Sequence, residues 1–479
     1  LRVKNNKISQ VSHKRFFGSP LCNDFITTDF SEALIEIITP PLSGVQDGID
    51  FLDDLHHFVA HKIEDELLWP FSIPPYIDCE DDIKIAKYGA SNQGLFKVLY
   101  RNGLAFRYGR LMQSIAGVHY NYSFPRSFWQ LPVFVSQERE EKKIKELVYF
   151  RALRNINRYN WLILYLYGAS PFVTRNFKNA DISGLKKIKD GFFLKDSTSL
   201  RMSGLGYQPE SQAHLKISLN SIDKYTDDLI NATLTNSINY SDTNLDGFKG
   251  QISPNILQIE DEYYSVVRPK SSSTNKARQT SNLLETGIDY IELRSLDLNP
   301  FSSRGITKDT VVFLQAFILF CALSPSPNIS SKEAKEIRKN NQLVSSKGRR
   351  KNLLLRKSGK DIFLKDWAYM IIDEIEKAGS LFNISEDVLL NEKAKIEDPD
   401  KTISGMIMTK LRDERMGFHE LANFYAIKNK KFYMDIKESS NKNWKDFKKE
   451  CEVSIGKQKS LELQDRSSLD QYIHEYFSN

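Results

Sequence analysis

The stretch that most constrains what this chain can fold into is Gly287–Phe301, GIDYIELRSLDLNPF. Read with a period of two, it puts Tyr290, Glu292 and Arg294 on one face and Ile291 and Leu293 on the other, the pattern of a strand with a wet side and a core side. Glu292 and Arg294 then point the same way. Such a pair is either a cross-face ion pair, the common case on a surface, or a cation ligand beside an arginine that holds a phosphate or carboxylate.

Three other stretches repeat the pattern. Phe25–Thr39 reads as two short extended pieces ended by Pro40 and Pro41. In the second piece Leu34, Glu36 and Ile38 share a face, and Asp29 lies just before it. In Gly117–Pro125, His119, Asn121 and Ser123 face one way while Val118, Tyr120, Tyr122 and Phe124 face the other. Asn255–Pro269 reads as a fourth strand with Gln258, Glu260 and Glu262 on one face, closing on Tyr264 and Arg268. Carboxylates are costly to gather on one sheet face unless cations neutralise them. Oxygen-rich donor sets suit Mg²⁺ or Mn²⁺ better than zinc, and arginines among them suit phosphate. The residues therefore point to a multi-metal nucleotide site on an antiparallel sheet. No GxxxxGK[ST] loop and no GxGxxG after a strand is present, which argues against a P-loop or Rossmann site.

Helical stripes separate these strands. Val45–Leu67 carries apolar residues at helical spacing with His56, His57 and His61 around them, and these histidines read as an exposed face. A second helix is expected over about Leu95–Ile115. A charged one runs from Glu138 into the apolar Trp161–Tyr167 segment and stops at Gly168. After Pro327 the chain turns basic and Lys- and Asn-rich, with weak helical periodicity. The expected organisation is a catalytic sheet-and-helix domain over residues 1–325, with a mainly helical C-terminal region over 326–479 packed on it. The fold class expected is α+β, an antiparallel sheet lined with helices.

Charge narrows the function. The net charge is +6, yet Lys332–Lys360 holds eleven Lys or Arg against two Glu, a net +9, which leaves −3 for the rest. The basic character belongs to one segment, which suits a solvated loop or an anion-facing lip better than a duplex-binding surface. Cys22, Cys79, Cys321 and Cys451 form no CxxC pair, so neither a zinc site nor a disulfide framework is expected. The longest apolar runs fall short of the roughly 18 to 20 residues of a membrane span. A cytoplasmic protein bound to neither membrane nor nucleic acid fits these observations, and a monomer is expected, though no residue pattern bears on that state.

ITTDFSEALIEIITP, YGASNQGLFKVLYRNGL, GVHYNYSFP, TSLRMSGLGY, ILQIEDEYYSVVRPK and GIDYIELRSLDLNPF, in that order, resemble the bacterial glutamate-cysteine ligases of the glutamine-synthetase-like superfamily. The resemblance covers Leu1 to about Leu323 and continues faintly in NNQLVSSKGRR. It implies ATP-dependent joining of the glutamate γ-carboxylate to the amine of cysteine through a γ-glutamyl phosphate, the first step of glutathione synthesis. It implies Asp29, Glu36, His119 and Glu292 as ligands of Mg²⁺ or Mn²⁺, and Arg201 and Arg294 as the clamp on the phosphoryl group or reacting carboxylate. It implies a pocket for cysteine from Phe30, Tyr100, Gln113, Tyr207 and Tyr264, and an ATP-facing role for Arg349 and Arg350. In the family, two further metal-site glutamates lie on a strand ahead of the segment matching Leu1–Val3, so the sequence as given is expected to lack them. Three other readings stay open: a ligase joining glutamate to another amine, a non-catalytic relative, and, on charge alone, a basic nucleic-acid-binding protein.

Overall fold

Packing follows the alternation in the chain's short strands. The computed structural model describes residues 1–478 apart from 132–139, 178–183, 207–211, 213–214, 241–243, 246–247 and 380–384. In chain order, β1 (Arg2–Lys4) pairs antiparallel with β2 (Lys7–Ile8) and with Leu67–Leu68. Arg2 is fully buried there, donating to Glu66 at 2.7 Å and to the carbonyls of Val11 and Glu32 at 2.6 and 2.8 Å. These contacts to Nη1 and Nη2 offset much of the cost of burying the guanidinium, whose Nε has no partner among the described residues. The two extended pieces expected at Phe25–Thr39 form a hairpin of β3 (Ile26–Thr28) and β4 (Ile35–Ile37), with Thr27 opposite Glu36.

Helix α1 (Val45–Lys62) follows, then α2 (Asn92–Tyr108), which stops earlier than its periodicity predicts because Gly109 turns the chain at φ +78°. Strand β5 (Val118–Tyr122) leads toward α3 (Glu141–Tyr167), while Glu138, the expected start of that helix, lies outside the described residues. Strands β6 (Val267–Lys270) and β7 (Tyr290–Leu296) complete a three-stranded antiparallel sheet in the order β6–β7–β5. Its register puts Arg268 opposite Glu292, and Glu292 opposite Asn121.

The apolar face of this sheet makes the core. Ile291 and Leu293 are fully buried, and α3 packs against β7 on one side and α4 (Lys308–Leu323) on the other. From Trp161 to Tyr167 α3 is apolar or aromatic all round and wholly buried, as a helix enclosed by other elements must be. Beyond α4 the chain is mainly helical, interrupted by an antiparallel hairpin of Leu354–Lys357 and Lys360–Phe363; α5 (Ser331–Lys347), α6 (Phe418–Met434), α7 (Trp444–Gln464) and α8 (Leu469–Ser478) are the helices that matter below. The cluster that begins at Leu1 continues through Trp367 and Leu411 to Tyr425, so the C-terminal helices share the sheet's core. The fold class is α+β, as the sequence predicts.

Two expectations are corrected here. Asn255–Pro269 is extended as a strand only from Val267; Glu260–Glu262 form a 3₁₀ turn. Their acids serve separate buried partners: Glu260 accepts from Arg278 at 2.7 Å, and Glu262 accepts from Arg107 and Tyr108 at 3.0 and 2.6 Å. The histidines of α1 do not form an exposed face either. His57 is buried beside Trp444, with Nε2 3.1 Å from the Ile436 carbonyl, because α6 and α7 cover that side of α1.

Candidate active site

The polar face of β6–β7–β5 and the β3–β4 hairpin open onto one cavity of about 2080 Å³. Tyr290, Glu292 and Arg294 of β7, His119 and Asn121 of β5, and Arg268 and Lys270 of β6 line it from the sheet, while Asp29 and Glu36 line it from the hairpin. The alternation that buries Ile291 and Leu293 therefore aims Glu292 and Arg294 inward.

On the sheet wall, Arg294 Nη1 donates to Glu292 Oε2 at 3.1 Å, His119 Nδ1 lies 3.4 Å from Glu292 Oε1, and Lys270 Nζ lies 4.0 Å from Oε2. Burial alone would raise the Glu292 carboxyl, yet the contacts to His119, Arg294 and Lys270 outweigh it and hold the group far below the usual carboxylate range. Desolvation within the cavity pushes His119 down, with its contact to Glu292 opposing the shift. Asp261 sits 3.6 Å from Arg268 and 4.0 Å from Lys270 on the open side of the cavity, and these two cations outweigh the desolvation it meets there and hold its pKa low.

The hairpin wall is different. Desolvation among the surrounding cavity walls, then the carboxylates of Asp29 and Glu292, raise Glu36 to about 7 although its side chain is open to the cavity, with Arg101 and Lys97 of α2 only partly opposing them. Lys97 is itself pushed down by burial and by Arg101. One wall thus carries satisfied ion pairs and the other a carboxylate under repulsion from its neighbours. Such repulsion is relieved by a cation.

Arg201 is also on the cavity wall. Its Nε donates to the Ala116 carbonyl at 3.0 Å, and its Nη2 donates to the carbonyls of Arg294 and Leu296 at 2.9 and 3.2 Å. Those carbonyls flank the register break between Leu293 and Leu296, so the guanidinium braces β7 where it bends beside Arg294. A Cβ at Gly117 would lie 2.1 Å from Arg201 Nη2, which explains a glycine immediately before β5.

Phe30, Tyr100, Gln113 and Tyr264 all reach the same cavity. The Tyr264 hydroxyl lies 2.9 Å from Met202 Sδ, and its backbone N–H donates to Gln212 at 2.9 Å. Tyr207 lies outside the described residues. The structure does not bring Arg349 and Arg350 to this cavity. Arg349 is buried elsewhere, donating to the carbonyls of Ser197, at 3.2 Å, and Lys195, and to Asp400 at 3.1 Å; Arg350 is exposed. A basic run looks alike in sequence whether its donors face a ligand or the chain's own carbonyls.

Strand alternation gives no sign of Lys97, Arg101, Asp261 and Lys270. For the first two a signal existed: like charges at i and i+4 on a helix are mutually unfavourable unless an acid faces them.

The family model for glutamate-cysteine ligase matches residues 1–344. The chain belongs to the glutamate-cysteine ligase family. The glutamate–cysteine ligase of Alcanivorax borkumensis is 36% identical, with 98% of this chain and 92% of that protein covered. That of Vibrio campbellii is 37% identical, over 99% and 93%. Among solved structures, a glutamate–cysteine ligase from Francisella tularensis in complex with AMP superposes with a TM-score of 0.93 at 31% identity, covering 100% of this chain and 96% of that one. A bifunctional glutathione synthetase from Pasteurella multocida shares the fold, with a TM-score of 0.71 at 23% identity over 90% of this chain and 51% of the other.

For a glutamate-cysteine ligase the donor set bears on a metal. Among the described residues no three His, Cys, Asp or Glu side chains converge closely enough to form a ready-made site. The mutual repulsion of Glu36, Asp29 and Glu292 nevertheless fits a divalent cation that takes few protein ligands and fills its shell with water and phosphate oxygens, which is the habit of Mg²⁺. No helix among the described residues is long and apolar enough to cross a membrane.

Proposed function

We propose that this protein joins the γ-carboxylate of glutamate to the amine of cysteine at the expense of ATP, giving γ-glutamylcysteine, the first product on the way to glutathione. The observation that carries the reading is the facing of the Glu292–His119–Arg294 wall by the Glu36–Asp29 wall across one cavity, in a chain of this family. Phosphoryl transfer asks a protein chiefly to position the partners and to neutralise the charge spread over the moving group.

Arg294 and Lys270 carry positive charge to the point where the glutamate γ-carboxylate oxygen meets the terminal phosphorus of ATP. As that bond forms, ADP leaves. Arg201, itself 3.6 Å from the buried Asp297 carboxylate, keeps Arg294 in place through its backbone. The cysteine nitrogen then attacks the acyl carbon, phosphate leaves, and the nitrogen gives up a proton. Phe30, Tyr100, Gln113 and Tyr264 form the pocket for the thiol side chain, where aromatic faces suit sulfur. Asp29, Glu36, His119 and Glu292 would hold Mg²⁺ or Mn²⁺, which supplies charge stabilisation to the phosphates. The protein acts as a cytoplasmic monomer.

Amine selection tests the reading. With glutamate, ATP and Mg²⁺ present, cysteine should form the γ-glutamyl product with a kcat/KM about tenfold or more above alanine, serine or glycine. Equal use of these amines would make the protein a glutamate ligase of a different specificity.

A further inference from the structure

The last helix of the chain, α8, is seated on the first part of α2 and forms a wall of the cavity. Its Tyr472 and Tyr476 line the cavity together with Phe96, Lys97 and Tyr100 of α2. Their ring centroids lie 5.7 and 4.9 Å from that of Phe96. Leu469, Ile473 and Phe477 join a small apolar cluster built on Phe96, Leu99, Ile252 and Ile259, and Tyr100 packs on the same cluster. The helix is tied down at its start: the Asn92 backbone N–H donates to the Asp465 carboxylate, Asn92 Nδ2 donates to the Ser467 carbonyl at 2.8 Å, and the Ala90 N–H donates to Glu462 at 2.9 Å. At its end the Arg278 guanidinium, which holds Glu260, lies 5.9 Å above the Phe477 ring.

We propose that α8 is a positioning element of the active site: Tyr472 and Tyr476, by packing on Phe96, hold the α2 face that carries Lys97 and Tyr100 against the cavity, and so set the affinity for the amino acid that supplies the amine. Three features argue for this. Tyr100 lies one helical turn beyond Phe96, so a tilt of α2 at Phe96 moves both residues together. Lys97 and Arg101 put two cations of that turn on the cavity wall, and Arg101 Nε donates to the Asp29 carbonyl, so a shift of α2 is felt at the hairpin side of the cavity. The tyrosines add large rigid surfaces whose offset contacts with Phe96 fix its position more tightly than aliphatic side chains do. The inference rests on the ligase reading above, and it gives the C-terminal segment, which carries none of the family's strand motifs, a part in substrate binding.

The test uses the full chain with Tyr476→Ala, Tyr472→Ala and Tyr476→Phe. For Tyr476→Ala the KM for cysteine should rise about tenfold, while kcat and the KM values for glutamate and ATP stay within about twofold; Tyr476→Phe, which keeps the ring, should stay near the unsubstituted protein. Tyr472→Ala should act in the same direction with a smaller effect. Amide hydrogen exchange supplies a readout without turnover: exchange over residues 92–108 should quicken in Tyr476→Ala and not in Tyr476→Phe. An unchanged cysteine KM, a rise confined to the ATP KM, or unchanged exchange in α2 overturns the proposal. The unsubstituted protein decides the ligase reading separately. If it makes no γ-glutamyl product, that reading fails, and the exchange comparison alone decides whether α8 positions α2.

Discussion

Glu292 does not act as a lone acid. His119, Arg294 and Lys270 hold it charged against the cost of burial, and the resulting wall is where negative charge from phosphates would gather. Glu292→Gln and Arg294→Ala should each lower turnover by about 100-fold or more, the scale expected when a preorganised charge is removed from a reacting centre. Steady-state rates near those of the unsubstituted protein would contradict the assignment. Gly117→Ala makes a more local test. Its Cβ would lie 2.1 Å from Arg201 Nη2, so Arg201 must leave the carbonyls that brace β7, and kcat should fall with little change in fold by circular dichroism. At this scale the sequence was informative where chemistry shows as alternation. Glu36, His119, Glu292 and Arg294 could be picked out because strands aim every second side chain the same way. Asp261 and Lys270 could not, since they meet across a turn. Arg349 read as an anion ligand because donors to backbone carbonyls leave no trace in sequence.

Among elements, periodicity placed α1, α2, α3 and the β3–β4 hairpin close to where they lie. It fails at Glu260–Glu262, where alternating acids imitate a strand face but form a 3₁₀ turn. Those carboxylates are buried in ion pairs with Arg278 and Arg107, and such long-range pairing is invisible to a local pattern. The histidines of α1 failed for a similar reason, since the helices that cover them come almost 400 residues later. One such later helix gives a stability prediction. Phe418, at the start of α6, is buried against Phe172, Phe71 and Trp69. Phe418→Ala should cost about 3 to 5 kcal/mol by creating a cavity. Urea unfolding should show that loss as a shift in midpoint with the slope kept, and a shift worth under about 1 kcal/mol would mean that α6 does not share the core.

At the scale of the whole molecule, the N-terminal segment is locked by Arg2 and Glu66, and His13 is buried beside them. Burial, then the charge of Arg2, pushes His13 down to about 3, against the ordinary 6.5. Between those values the unfolded chain binds a proton that the folded chain refuses, so this group's contribution is present above pH 6.5 and is lost as pH falls toward 3. Stability should therefore drop more steeply from pH 7 to pH 4 in the unsubstituted protein than in His13→Leu, measured by urea midpoint. Parallel curves would show that His13 is protonated in the fold. The overall fold was legible as α+β because the wet-sided strands and long apolar helices leave few other arrangements. The seating of α8 on α2 was not, because it depends on aromatic contacts between segments far apart in the chain.

The most direct test of the central claim is phosphate release from ATP with Mg²⁺, measured with glutamate and cysteine each present or absent. The account predicts release that needs both amino acids and that yields one γ-glutamylcysteine for each phosphate. Folded protein that releases none, or that releases phosphate without regard to either amino acid, would contradict it.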